Sequence, residues 1–355
     1  MSPELHRQAP DPILISDYDY ELPPELIAQT PLEPRDRSRL LVLDRGRDRL
    51  EHRIFRDIID YLSPDDLLVV NDSRVIPARL HGWRPTGGHA EILLLRPLGE
   101  GCWEALVRPG RRLKAGSEIV LADRDGERTD ARVTIVERRP EGSAVVVLPD
   151  EVSDRLNAFG EMPLPPYIHE RLTDPERYQT VYSRIEGSAA APTAGLHFTP
   201  ELMTEIRQRG VRIVEVTLHV GIGTFQPVKV EDVREHEMHA EWFHVPPETL
   251  AAIAETRSRG GRVIAVGTTS CRTLESIDPA QMRGSGQSGW TSLFITPGFQ
   301  FRTVDALITN FHLPRSTLML MVSAFAGRER ILATYAEAVK NRYRFFSFGD
   351  AMLIL

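Results

Sequence analysis

Cysteine is scarce: Cys102 and Cys271 are the only two in 355 residues, too few for a disulfide framework. Long apolar runs are missing as well. The longest, residues 316–327, lies between Arg315 and Arg328 and falls short of the roughly 20 residues a membrane helix needs, so it reads as a buried core helix. The first residues, MSPELHRQAPDP, lack the basic start and apolar stretch of a secretory signal. These absences point to the cytoplasm. Positive charge is not in excess either: 43 Lys and Arg against 50 Asp and Glu leave a net charge of -7. That balance excludes a protein that tracks long stretches of phosphate on a broadly basic face, and leaves room for a local basic patch. No internal repeat is present. The dinucleotide fingerprint Gly-x-Gly-x-x-Gly is absent too, since Gln226 stands where a third glycine would follow Gly221 and Gly223.

What the chain does have, 41% hydrophobic and 26% charged residues, suits an ordinary globular protein of two domains. Residues 67–70 form a short apolar strand that stops at Asn71-Asp72-Ser73-Arg74. From 75 to about 157, strand-like runs at 91–95, 103–107, 118–121, 131–136 and 144–148 alternate with Gly, Pro and Asp and show no helical period. That texture predicts a small antiparallel barrel or sandwich. From Pro163 onward strand, loop and helix alternate, with strands at 211–220 and 262–266 and helices at 200–210 and 249–259. The N-terminal segment shares this texture. The expected fold is α/β: one discontinuous domain of residues 1–74 and 158–355 with a mainly parallel sheet, interrupted by an inserted antiparallel β-barrel domain of residues 75–157.

Chemistry concentrates in a few places. Residues 183–199, SRIEGSAAAPTAGLHFT, pack small residues directly before an aromatic and a helix start, which suits either a tight backbone crossing or a ligand cradle rather than a spacer. Two strand ends are glycine-rich, and open parallel sheets collect ligands outside the carboxyl ends of their strands. The first runs through His219, Gly221, Gly223, Thr224 and Phe225. The second passes through Gly267 into Thr268, Thr269 and Ser270, hydroxyls able to cap the helix that follows, whose N–H groups would face an anion or a polar ring edge. Alone each is a turn or a cap; two in one domain point to a nucleotide-like ligand.

Other clusters are weaker. Residues 235–241, EHEMHAE, miss the His-Glu-x-x-His zinc spacing by one and read as a solvated acidic segment, so no metal is expected. Asn71 to Arg74 offers four hydrogen-bonding side chains, more than a turn requires. Ahead of the apolar helix, Asn310-Phe311-His312-Leu313-Pro314-Arg315 is either a capped start or a place where His312 and Arg315 overhang a pocket. Arg35, Arg37 and Arg39 alternate as on one face of an extended segment, able to contact phosphate or simply to edge a strand. Asp350 is the one site candidate in the aromatic stretch 343–348 and its flank.

These segments resemble a known family. DYDYELPPELIAQTPLEPRDRSRLLVLDR, DLLVVNDSRVIPARL, GEMPLPPYI, GSAAAPTAGLHFT, HVGIGTFQPV, GRVIAVGTTSCRTLES, LFITPGFQFRTVDALITNFHLPRSTLMLMVSAFAG and YRFFSFGDAML look, in that order, like the S-adenosylmethionine:tRNA ribosyltransferase-isomerases of queuosine biosynthesis. The resemblance covers nearly the whole chain. It implies transfer of the ribosyl portion of S-adenosylmethionine, as co-substrate, to a 7-aminomethyl-7-deazaguanine base at the wobble position of a tRNA with a GUN-type anticodon. Epoxyqueuosine forms, and adenine and methionine leave. A monomer acting without a metal or an obligate protein partner is implied too.

Such chemistry requires a base, an acid or hydrogen bond for departing adenine, and a negative or aromatic wall for the sulfonium. His219 is the first choice for the base. Asp72 and Glu275 would face the sulfonium or hold the amine, and His197 and His312 are second-choice acids. Gly221, Gly223, Thr224, Thr268, Thr269 and Ser270 would wall the adenosyl group, with Phe225 stacking. Arg35, Arg37, Arg74 and Arg315 would meet anticodon phosphates or the methionine carboxylate. Two rivals have discriminators: a methyltransferase would leave S-adenosylhomocysteine, and a non-catalytic tRNA-binding module would consume no cofactor.

Overall fold

The computed structural model describes residues 12–139, 142–170, 172–221, 228–278 and 285–355. Strands β1 (Arg39–Asp44), β2 (Arg49–Ile54) and β3 (Leu67–Asn71) come first, then the short β4 (Ser73–Val75). Next are β5 (Arg79–Trp83), β6 (His89–Gly99), β7 (Cys102–Arg108), β8 (Glu118–Ala122), β9 (Arg128–Arg138) and β10 (Ala144–Val147). Two single-turn helices, α1 (Asp150–Ser153) and α2 (Leu156–Phe159), lead to β11 (Gly160–Glu161). The remainder runs β12 (Ile185–Ser188), α3 (Pro200–Gln208), β13 (Arg212–Leu218), β14 (Glu241–Val245), α4 (Pro247–Ser258), β15 (Val263–Val266) and α5 (Gly267–Ser276). It closes with β16 (Gln287–Thr291), β17 (Ala306–Asn310), α6 (Thr317–Ala326), α7 (Arg328–Lys340) and β18 (Ala351–Ile354).

Nine strands form one mixed sheet in the order β16-β14-β13-β3-β15-β17-β18-β1-β2. Its centre, β13-β3-β15-β17, is parallel, as is β18 against β1; the outer pairings and β17 against β18 are antiparallel. Strand residues alternate between two cores, as a period of two dictates. Leu41, Leu67, Val69 and Val216 pack under α4–α7, whereas Leu40, Leu68, Val70 and Ile308 pack with α3 and the 3-10 helix Phe55–Tyr61. The expected α/β layer is thus present. So is the barrel: β5-β6-β7-β10-β9-β8 close when β8 returns to β5, with Leu80, Ile92, Val107, Ile119, Val133 and Ile135 filling the inside. Closure needs Gly82, because a Cβ there would stand 2.3 Å from the Val120 carbonyl oxygen. Strand β5 gave no signal in the sequence pattern, since Gly82 stands where the alternation calls for an inward apolar side chain.

Two local expectations change. The segment from Asn71 to Arg74 is not a turn: Asn71 ends β3, and Ser73 starts β4, which lies parallel to β12 with Ser73 opposite Ile185. Arg35–Arg37 form a 3-10 helix rather than an extended face, and only at Arg39 does the strand begin.

Candidate active site

The carboxyl end of β13 is fixed from two sides. Asn71, fully buried, donates from Nδ2 to the Leu218 carbonyl (3.0 Å) and accepts the Leu218 N–H (3.1 Å), continuing the ladder by one side chain where β3 stops. Past it, the His219 N–H donates to the Trp242 carbonyl (3.0 Å), and the imidazole stacks on that indole with centroids 5.2 Å apart at 20°. Nδ1 of His219 is buried without a hydrogen-bond partner among the described residues. Burial holds the imidazole below its ordinary value, so it is neutral and free to accept a proton at physiological pH. Gly187, at φ +133°, makes room for the ring: a Cβ there would sit 3.0 Å from Nε2 and Cε1.

Beside it, the Gly221 N–H donates to Oε1 of Glu241 (2.8 Å), whose other oxygen pairs with Arg272 of α5. The two side chains are only 4% and 6% exposed, and Arg272 Nε also donates to the Leu293 carbonyl (3.2 Å). A cavity of about 540 Å³ opens here between the sheet and the barrel. His219, Gly221, Glu241, Trp242 and Trp290 line one wall; Arg96, Glu104 and Leu106 line the other. Arg96 lies over the Trp290 ring, 5.1 Å from its centroid, and pairs with Glu104. Burial pushes the Glu104 carboxyl up, but bonds from Arg96, Ser143 and Arg139 outweigh it and hold the group below its usual range.

The cavity at the second strand end is smaller. β15 turns into α5 through Gly267 at φ +90°, and the hydroxyls that follow do not cap the helix. They lie inside it: Ser270 Oγ donates back to the Val266 carbonyl (2.8 Å), and the N-cap position is Val266, which has no side-chain oxygen. Thr268 and Thr269 line a cavity of about 80 Å³ with Asn310, His312, Phe346 and Ser347. Here His312 Nε2 bonds the Thr309 hydroxyl (2.8 Å), and burial drives its imidazole down to about 3. Phe346 holds φ +69°, a costly conformation for an aromatic residue, with its carbonyl taken by Asn310 Nδ2 (2.8 Å).

The small-residue stretch 187–194 serves both ends. Ala189 N–H donates to the Val220 carbonyl (3.0 Å) and Ser188 Oγ accepts the Val220 N–H (3.0 Å), a tight crossing over β13. Ala191, Pro192, Thr193 and Ala194 then line the smaller cavity.

Several candidates lie elsewhere. Glu275 is buried with its carboxylate accepting the N–H groups of Arg302, Thr303 and Val304 at 2.9 Å each, so it anchors a loop and lines neither of these cavities. Asp72 bonds Thr217 Oγ1 (2.6 Å) and Arg184 (2.8 Å); burial raises its carboxyl despite these partners, and it lines neither cavity. His197 stacks on Phe55, bonds Ser38 Oγ (2.7 Å) and is driven by burial to about 3, which leaves it no proton to give near neutrality. Arg35 donates to the carbonyls of Gln179 (2.6 Å) and Glu176 (2.9 Å), and Arg74 to Ser183 (3.0 Å) and Glu176. Arg37 and Arg315 are exposed, Arg315 reaching Glu231 at 3.5 Å. Asp350 accepts backbone N–H groups of Arg39 and Arg344, a structural use. Gly223, Thr224 and Phe225 lie outside the described residues. Of segment 235–241, His239 and Glu241 line the larger cavity, and no group of three metal-ligating side chains occurs among the described residues.

A cavity walled by two histidines, two indoles and two carboxylates, at the carboxyl end of a parallel sheet strand, is the candidate site of an α/β enzyme. The comparisons with known proteins identify which kind. A family model described as queuosine biosynthesis protein matches residues 15–354. Curated relatives named S-adenosylmethionine:tRNA ribosyltransferase-isomerase include one from Thermotoga maritima, 55% identical over 96% of this chain and 99% of its own length. Others, from Pelotomaculum thermopropionicum and Moorella thermoacetica, are 56% identical over the same shares. A crystal structure of an S-adenosylmethionine tRNA ribosyltransferase from Thermotoga maritima matches at TM-score 0.55 and 47% identity, covering 96% of this chain and all of that one. The chain belongs to the queuosine biosynthesis protein family.

Proposed function

We propose that this enzyme moves the ribosyl portion of S-adenosylmethionine onto the aminomethyl group of a 7-aminomethyl-7-deazaguanine base at the wobble position of a GUN-type tRNA. Epoxyqueuosine would form and adenine and methionine would leave, in the cytoplasm. The observation that carries the reading is 55% identity over 96% of the chain to a relative bearing that activity as its name.

The larger cavity supports it as the place of reaction. Its donor set fits a sulfonium nucleoside: the carboxylates of Glu241 and Glu104 stand on opposite walls, the Trp242 and Trp290 indoles offer apolar faces, and His219 Nδ1 is buried with no partner among the described residues. The sulfonium acidifies the adjacent 5′-carbon and makes methionine a leaving group. His219, held neutral by burial and oriented by its stack on Trp242, accepts the proton. Glu241 fixes Gly221 beside it and, through Arg272, ties β14 to α5 so that the cavity wall does not shift. Thr268 and Thr269 in the smaller cavity hold the remaining part of the donor.

The test is to incubate the purified protein with S-adenosylmethionine and tRNA carrying the aminomethyl-deazaguanine base, then analyse small molecules and nucleosides by mass spectrometry. Adenine, methionine and epoxyqueuosine are expected together. S-adenosylhomocysteine in their place would mean methyl transfer, and untouched co-substrate would mean no catalysis.

A further inference from the structure

The barrel is electrically two-ended. The β8–β9 turn carries Asp123, Asp125 and Glu127 against one cation, Arg124, at one end. At the other, the loop from β7 to β8 reads Arg108-Pro109-Gly110-Arg111-Arg112-Leu113-Lys114, four cations in seven residues of a chain whose net charge is -7. Antiparallel pairing of β8 with β9 brings the β9–β10 turn to this same end, where Arg138 reaches towards Gly110 and Arg139 follows. Arg108, Arg111, Arg112 and Lys114 are all exposed, while Leu113 between them is buried and pins the loop to the barrel core. Among the described residues no carboxylate pairs with Arg111, Arg112 or Lys114; Arg108 reaches only Glu91, at 4.0 Å.

The loop is also continuous with the cavity. Along β7, Ala105 and Val107 point into the barrel, so Glu104, Leu106 and Arg108 share its outer face. Glu104 and Leu106 line the cavity, and Arg108 lies one outward position beyond Leu106, about 7 Å further along the strand. The cavity's barrel wall therefore runs directly into the basic loop.

We propose that this basic end, Arg108, Arg111, Arg112 and Lys114 with Arg138 and Arg139 alongside, holds the phosphate backbone of the tRNA and leads the target nucleotide into the cavity. The proposal rests on tRNA being the substrate, as proposed above. Guanidinium and ammonium groups such as those of Arg111, Arg112 and Lys114, which have no carboxylate partner among the described residues, are what a polyanion displaces counterions to reach, and contacts of this kind position without reading sequence.

The experiment measures binding of an unmodified GUN-anticodon tRNA transcript across a salt series, for wild type and for the triple variant Arg111→Ala, Arg112→Ala, Lys114→Ala. These side chains are exposed and Leu113 is kept, so folding is preserved; Arg124→Ala with Arg128→Ala at the acidic end serves as the control. The triple variant should raise Kd about tenfold or more and lower the slope of log affinity against log salt by about 2 to 3, with the control unchanged. Turnover should show a raised KM for tRNA at unaltered kcat. Wild-type Kd and slope in the triple variant would overturn the proposal, as would an equal loss in the control. If wild type shows no ribosyl transfer but its tRNA affinity still depends on this loop, the surface stands and the reaction assignment falls. Normal wild-type turnover with loop-independent affinity gives the reverse.

Discussion

The two strand ends that look alike as sequence, each an apolar strand running into glycine and polar residues, have become different objects. At β13 the chain emerges against the barrel, and a half-buried histidine faces about 540 Å³ of space. At β15 and β17 it emerges against its own C-terminal segment, and His312 is sealed beside about 80 Å³. Residue types at the two ends overlap; what differs is what the rest of the fold lays across them. The same imidazole lines an open cavity in one place and is a fixed neutral strut in the other.

Four experiments would break or sharpen that contrast. The largest effect belongs to Glu241→Ala. It leaves Arg272 charged and buried and Gly221 without its acceptor, and should lower the unfolding free energy in urea by about 3–5 kcal/mol. An unchanged midpoint would mean the pair does not hold the larger cavity together. Next, His219→Ala should cut kcat about a hundredfold while S-adenosylmethionine affinity stays close to wild type. Because burial lowers this group, the acid limb of the wild-type rate profile should fall below pH 6.5. Turnover like that of wild type would remove His219 from the reaction.

Stability against pH should follow the other two histidines. His197 and His312 are held at about 3 in the folded state and return to 6.5 on unfolding, so the unfolded chain binds more protons as pH falls below 6.5. Their effect is nil above that point. Between pH 6.5 and 3 each should cost about 1.4 kcal/mol per pH unit, and His312→Gln should remove one of the two slopes in urea titrations run at several pH values. The smallest change is Gly187→Ala. It should destabilise by about 1 kcal/mol at φ +133° and, by crowding the His219 ring, lower kcat more than it alters melting. Full kcat in a folded variant would show that the ring tolerates displacement.

Much of the architecture was legible in the sequence because it rests on local signals. Period-two runs between Gly, Pro and Asp announced most barrel strands, and the apolar helix and the glycine at each strand end stood out by composition. The smallness of residues 187–194 was legible as close approach, and the backbone does cross Val220 there. The site was legible only in part, since its walls come from sequence-distant elements. Glu241 looked like one more acid in a solvated run, and Arg272 like one residue of a hydroxyl-rich helix; only pairing across β14 and α5 makes them a unit. Trp290 sits opposite Trp242 across the β14–β16 ladder, a neighbour relation that no spacing reveals. Glu275 and Asp72 pose the opposite problem: a polar residue among apolar ones resembles a catalyst as much as an anchor, and only hydrogen-bond partners, which the sequence does not show, place Glu275 on a loop and Asp72 on Thr217 and Arg184.

The place of β18 in the sheet has a consequence for how the molecule is made. Among the described residues, strand β1 pairs only with β2 and with β18, Leu40 lying beside Ala351, so the β1–β2 hairpin joins the sheet through a strand translated far later. On the ribosome that hairpin must wait, its apolar face uncovered, while the barrel emerges with all its strands in hand. Nascent chains should therefore acquire a protease-resistant barrel first and a closed catalytic sheet only once residues 351–354 are free, and any shortening that removes them should cost the early hairpin as well as the late strand.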